Sequence, residues 1–187
     1  MLRVAVSDGE LVARAQSGDV EAFDELIARH QDRVFSLAYR MLSHAEDAAD
    51  VQQETFVQAW RNLRKFRRDA ALSTWLHRIT VNLCLSRRRR RQTEPLEPYM
   101  QETLLSSEPS GVACLQREET KATVRRAIAS LPAHYRALIV LRDIEERPFD
   151  EIAQVLSCSI QSARTRLAKA RKLLRERLEP YLAEEDQ

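Results

Sequence analysis

Between residues 66 and 79 the sequence runs FRRDAALSTWLHRI, which sets Phe66 and Trp75 among Arg67, Arg68 and Arg78. Rings ordinarily go to a core and arginines to water, so a segment that concentrates both points to a ligand with flat apolar faces and negative charge. A separated nucleic-acid strand is such a ligand. Each unpaired base offers a π-face whose stacking on an aromatic ring contributes roughly 1 to 3 kcal/mol. A base-pair step holds on average about 1.4 kcal/mol of stacking, so a few captured bases offset the opening of a few pairs. Arginines beside the rings would hold phosphates and add cation–π contact. Trp75 borders the inward stripe of its helix and is expected to be partly core. Phe66, in a loop beside Lys65, Arg67 and Arg68, has less reason to be buried. The arginines at 87 to 91 close the following helix, where cations also suit the helix dipole, so the run by itself specifies little.

A second constellation lies near the C-terminus, in IQSARTRLAKARKLLRERL. Ile160, Ala163, Leu167, Ala170 and Leu174 fall on one side of a helix, and Gln161, Ser162, Thr165, Lys169 and Lys172 on the other. Amide, hydroxyl and ammonium groups on one face suit base edges in a major groove and the phosphates beside them. Arg166 on the flank suits a phosphate. Arg164 and Arg171, nearer the apolar edge, can lay their stems along it with their heads toward the DNA backbone. The short helix FDEIAQVL and the turn SCS come just before, which makes a helix-turn-helix pattern.

Charge supports two contacts with a polyanion. The formal net charge is only +2, but it is segregated along the chain. Residues 1 to 60 carry eleven acids against five arginines, whereas from 61 to 91 Asp69 is the single acid among eleven basic residues. A second basic block runs from Arg164 to Arg177 with Glu176 as its only acid. Two separate cationic patches suit one polyanion touched at two places.

Catalytic chemistry finds little support. Cys84, Cys114 and Cys158 are far apart with no CxxC pair, and His30, His44, His77 and His134 form no HxxxH or HExxH arrangement. No metal site, disulfide framework, glycine loop for phosphates or cofactor is therefore expected, and no enzyme activity. No apolar run approaches the roughly 20 residues that cross a bilayer, and MLRVAVSDGE lacks a signal-peptide h-region, so a cytoplasmic protein is expected.

The elements that must position these groups read as helices almost throughout, because 3 Gly and 6 Pro stand against long runs of Ala, Leu, Arg, Glu and Gln. Ser7 and Glu10 have capping-box spacing before a short first helix ending at Gly18, and Asp19 can cap the next. Val20, Phe23, Ile27, His30, Val34, Leu37 and Met41 mark the face of a long second helix. Ser43 and Glu46 suggest another capping box, followed by the stripe Ala48, Val51, Thr55, Ala59 and Leu63. After a polar loop of about seven residues, Leu72, Leu76, Ile79 and Leu83 give the inward face of a fourth helix. From Gln92 to Gln116 periodicity disappears among Pro95, Pro98, Pro109 and four glutamates, which reads as a flexible acidic linker. TKATVRRAIASL then forms a helix that stops before Pro132, which can occupy the first turn of PAHYRALIVLRDI. The expected organisation is all-α: a helical domain over 1–91, a linker over 92–116 and a helix-turn-helix domain over 117–187. The residues alone leave other classes open. A stand-alone helix-turn-helix regulator of duplex DNA would give the first domain no task, and an RNA-binding or RNA-modifying protein would lack a catalytic cluster.

With AEDAADVQQETFVQAW, FRRDAALSTWLHRITVN and PFDEIAQVLSCSIQSARTRLAKARKLLRERL in view, the chain resembles the extracytoplasmic-function RNA polymerase sigma factors. The resemblance covers both domains and implies a transcription initiation factor without covalent chemistry. It assigns 1–91 to sigma region 2 and 117–187 to region 4. It further implies docking of Asp50, Gln53, Glu54 and Phe56 on the polymerase β′ clamp helices, with Phe56 partly core, and the β flap as a further polymerase contact. Phe66, Arg67, Trp75, Arg78 and Asn82 would capture a flipped non-template base of the minus-ten element, in agreement with the reading of the ring and arginine cluster. Gln161, Ser162, Arg164, Thr165, Arg166 and Lys169 would read the minus-thirty-five element as duplex. The resemblance also implies an anti-sigma factor as partner. Two departures stand out: Ser157 replaces the usual turn glycine, and Gln161, Ser162 and Ala163 stand where Gly-Thr-Val is common. The long Gln161 side chain can add a base contact that glycine cannot.

Overall fold

The computed structural model describes residues 6–67, 71–93 and 112–185. Its helices are α1 (Asp8–Gln16), α2 (Val20–Leu42), α3 (Ala45–Asn62), a 3-10 turn Leu63–Lys65, α4 (Leu72–Thr93), α5 (Val112–Ser130), α6 (Ala133–Ile139) running on into a π turn Val140–Ile144, α7 (Phe149–Val155) and α8 (Ile160–Glu185). No strand occurs among the described residues. Two compact units are present, one built on the chain up to Arg87 and one on most of the chain from Arg88. The 92–116 linker falls largely on residues 94–111, outside the described residues; α4 and α5 occupy both of its margins.

Local signals set the start of the first unit. The Ser7 hydroxyl accepts from Glu10 N at 3.3 Å and the Glu10 carboxylate accepts from Ser7 N at 2.9 Å, the reciprocal box that satisfies two helix-end donors. Gly18 takes φ 100° in the turn, and Asp19 then caps α2 by accepting from Ala22 N at 3.1 Å. α1, α2, α3, the 3-10 turn and the start of α4 share one core of Leu11, Val12, Phe23, Leu26, Val34, Phe56, Ala59, Leu63, Leu72 and Leu76.

Three expectations change here. Ser43 does not cap α3. It takes the left-handed conformation at φ 58° to end α2, and His44 becomes the cap, its Nδ1 accepting from Asp47 N at 3.2 Å. Only two residues join the helices, so one must reverse the chain and the other must cap. Val20 is exposed in the first turn of α2, whose inward face is completed by Ala22, Leu26 and Ala38. On α4, Ile79 and Leu83 are half-buried while His77, Thr80, Val81 and Cys84 are buried. Thr80 and Thr55 are admitted because each hydroxyl donates to its own helix, to Leu76 O at 2.9 Å and Val51 O at 2.7 Å, and the two oxygens lie 3.3 Å apart.

In the second unit Arg136 to Leu141 are buried without a break, so α6 is the central element. Pro132 sits at its N-cap, one residue earlier than expected. Buried Arg136 bonds α5, donating from Nε to Ile128 O at 3.0 Å. Ile152 of α7 and Ala163, Leu167 and Ala170 of α8 are buried too.

Candidate nucleic-acid and polymerase surfaces

The 3-10 turn ends at Phe66, whose N–H donates to Leu63 O at 3.0 Å. Instead of standing clear in a loop, the Phe66 ring packs against Trp75 with centroids 4.9 Å apart and planes at 35°, and both rings rest half-buried on the first core. The expectation of a largely unburied Phe66 is corrected. Leaving α3, the chain passes directly over the start of α4, and a ring there meets Trp75 before it meets water. Trp75, Arg78 and Asn82 follow at spacings of three and four, so they share one face of α4. Arg78, Asn82 and Arg67 are exposed. The structure therefore brings Phe66 and Trp75 together and leaves Arg78 and Asn82 exposed along the helix that carries one of them.

Asp50, Gln53 and Glu54 are exposed on α3, and Glu54 accepts from the Gln58 amide at 3.0 Å. Phe56 is only 8% exposed and belongs to the core. It supports this face from beneath, because two positions beyond Glu54 a helix has turned about 200°. Asp50 is engaged by Arg87 at 2.6 Å, and the same guanidinium reaches buried Asp47 at 3.1 Å. The first arginine of the 87–91 run is thus tied to the acidic face.

In the second unit, Ser157 holds φ 50° in the turn between α7 and α8, a conformation in which glycine would be unstrained. The Ser159 hydroxyl accepts from Ser162 N at 3.1 Å and caps α8. Gln161, Arg164, Thr165, Arg166 and Lys169 are exposed, Ser162 is half-buried, and Ile160 is exposed instead of joining the apolar side. Thr165 donates its hydroxyl to Gln161 O at 3.0 Å, which leaves the oxygen as an acceptor toward solvent. The Arg164 guanidinium lies 5.2 Å from the Phe149 ring centroid and that of Arg142 lies 5.1 Å from it. Arg171 does not extend freely. It forms a two-pronged pair with Asp143 of the π turn at 2.5 and 3.1 Å, and hydrogen bonding to Asp143 raises its pKa further.

Two contributors escaped sequence reading. Phe149 opens α7, and nothing local connected it with Arg164. Gln16, at the end of α1, bonds residues 47 and 50 positions away. No periodicity carries that signal.

Comparison with known proteins falls on the same two units. Residues 26–94 match the family Sigma-70 region 2, and residues 121–174 match Sigma-70, region 4. The chain is 36% identical over 186 residues to the RNA polymerase sigma-H factor of Pseudomonas aeruginosa, covering 95% of this chain and 96% of that one. It is 34% identical over 188 residues to the ECF RNA polymerase sigma-E factor of Escherichia coli K12, covering 95% and 97%. Among solved structures, CnrH in complex with the cytosolic domain of CnrY superposes with a TM-score of 0.68 at 29% identity, over 92% of this chain and 97% of CnrH. The sigma factor RpoE of Bartonella quintana, solved with the anti-sigma factor NepR, shares the fold at a TM-score of 0.63 and 22% identity, over 84% and 96%. Matched along nearly its whole length and in both units, the chain belongs to the extracytoplasmic-function family of RNA polymerase sigma factors.

Proposed function

We propose that this transcription initiation factor divides promoter recognition between two physical tasks. The first unit, with the expected boundaries 1–91, docks on core polymerase and captures the melted minus-ten strand. The second, 117–187, fixes register on minus-thirty-five duplex, and the segment between tethers them. The observation that carries this reading is the Phe66–Trp75 pair: two rings seated on a core yet half-exposed, with Arg67, Arg78 and Asn82 in water around them. A ring held on one side by protein still offers a face for base stacking, worth roughly 1 to 3 kcal/mol. Arg67 and Arg78 would hold the flanking phosphates, and Asn82 would meet a base or phosphate by hydrogen bonding.

Asp50, Gln53 and Glu54 form the polymerase-facing surface, with Phe56 bracing α3 from inside. On α8, Gln161, Ser162 and Thr165 read base edges, while Arg164, Arg166 and Lys169 contact phosphates. The factor acts in the cytoplasm and performs no covalent chemistry: it works by binding the open promoter better than the closed one. CnrH, 29% identical to this chain, forms a complex with the cytosolic domain of CnrY, and a protein partner, an anti-sigma factor, is assigned to this chain as well.

Run-off transcription with purified core polymerase, with and without this chain, tests the reading, and promoter-specific product is expected only with it. Holoenzyme should also prefer an exposed non-template oligonucleotide over its paired form. A wrong base in the minus-thirty-five site should cost roughly 1 to 3 kcal/mol, a discrimination lost in Gln161→Ala or Thr165→Ala. Unchanged promoter preference in both variants would remove α8 as the reader.

A further inference from the structure

Gln16 ends α1 and shares no motif with the strand-capture segment, yet its side chain is bonded to it. The amide Nε2 donates to Leu63 O at 2.9 Å and to Phe66 O at 3.0 Å. An NH2 group has two hydrogens, one for each carbonyl. The backbone between these carbonyls is a single 3-10 turn after the end of α3, closed by Phe66 N–H donating to Leu63 O at 3.0 Å, so Gln16 adds a second donor to Leu63 O and one to Phe66 O. The Phe66 carbonyl belongs to the peptide that joins Phe66 to Arg67. Holding that oxygen fixes the peptide plane, and with it the direction in which the Phe66 ring leaves the backbone.

The clamp stands on firm ground. Leu11, Val12 and Ala15 sink one face of α1 into the core. The N-terminal end of α1 is tied to α2 by Asp8, which lies 2.7 Å from His30 Nε2 and 3.0 Å from Arg29 Nη1. α1 is therefore packed along its length and pinned at one end, and Gln16 carries that rigidity to the backbone of Phe66.

We propose that Gln16 is a positioning residue for minus-ten capture: it holds the Phe66 backbone so that the ring is presented to an unpaired base before any DNA arrives. The inference rests on the reading that Phe66 stacks on that base. On it, α1 belongs to the recognition apparatus without touching the promoter, and specificity for the melted strand depends on a hydrogen bond made by a helix otherwise concerned with packing.

Holoenzymes carrying the full chain as wild type, Gln16→Leu, Phe66→Ala and the double variant separate this role from a merely structural one. Leucine fills the space of glutamine and removes both donors. The two readouts are affinity for a single-stranded non-template oligonucleotide with a minus-ten element, and affinity for a duplex with only a minus-thirty-five element. Circular dichroism fixes a temperature at which all four proteins are folded. Gln16→Leu is expected to weaken strand capture about ten-fold, as for loss of two hydrogen bonds, with duplex binding within about two-fold of wild type. Because Gln16 acts through Phe66, the double variant should capture no worse than Phe66→Ala alone. Gln16→Glu, which turns an acceptor toward the two carbonyls, should match or exceed the loss in Gln16→Leu. Wild-type capture by Gln16→Leu would overturn the inference, and so would losses that multiply in the double variant, which mark a residue acting independently of Phe66. Full capture by Phe66→Ala would instead bring down the strand-capture reading, and the inference with it.

Discussion

In the first unit the rings of Phe66 and Trp75 lie 4.9 Å apart and half in solvent, while Arg67 and Arg78 stand free of them. In the second unit the relation is reversed. The Phe149 ring is a bearing for the guanidiniums of Arg142 and Arg164, and the outward groups of α8 are amides, hydroxyls and cations. On the proposed reading the difference follows from the ligand. A melted strand offers base faces, which rings can stack against, whereas a duplex hides the faces and offers edges and phosphates, which need donors and charges at fixed positions. Arg164 on a ring loses less freedom on meeting a phosphate than Arg164 in water, because its guanidinium is already placed.

The comparison can be broken most severely through the second unit's core. Leu167 is 2% exposed, and Leu167→Ala should destabilise that unit by about 2 to 5 kcal/mol. Thermal unfolding should then show an earlier transition, with minus-thirty-five binding lost and capture of a single-stranded minus-ten oligonucleotide kept. Loss of both functions would show that the units do not divide the work.

Phe66→Ala is next in size. Removing one stacking platform should weaken promoter opening by about 1 to 3 kcal/mol, read as diminished permanganate reactivity of unpaired thymines, with duplex affinity little changed. Equal losses in both assays would erase the distinction between ring-reading and edge-reading surfaces.

Phe149→Leu sharpens the other side of the comparison. It keeps an apolar residue at the start of α7 and removes the π-face, so minus-thirty-five affinity should fall by about 0.5 to 1 kcal/mol. Phe149→Tyr should restore it. A titration in salt checks the origin: if Arg164 no longer meets its phosphate, the log–log slope should become shallower by about one unit.

The smallest effect concerns acid. Burial by itself would raise the Asp8 pKa, but hydrogen bonds from His30 and Arg29 and their charges outweigh it and hold the carboxyl below its usual range. A depressed carboxylate contributes stability that is present above its unfolded pKa of about 4 and lost as pH falls through the lower folded value. The first unit should therefore lose a few tenths of a kcal/mol below about pH 4 that Asp8→Asn never had, a small figure because the pair is partly in water. Unfolding midpoints of the two proteins should converge in acid.

Much of this molecule was legible in its sequence, where neighbours within one helical turn decide the outcome. The Ser7–Glu10 box, the Asp19 cap, the stripe from Ala48 to Leu63 and the α7–α8 pattern follow from spacings of three and four, and such spacings are the geometry of a helix. The cationic segregation and the exposed face of α8 were legible for the same reason. Choices made between elements lay beyond it. Whether Ser43 or His44 caps α3 depends on how the chain must turn to pack α3 on α2. Thr80 lines the core in place of Ile79 because a hydroxyl can satisfy itself on its own helix once α3 supplies Thr55 beside it. Phe66 is seated on Trp75, Arg171 is held by Asp143 and Gln16 clamps a turn some fifty residues away. Pattern along a chain records which residues share a face, but the partner of that face is chosen by packing in three dimensions, where residues remote in sequence compete for one place.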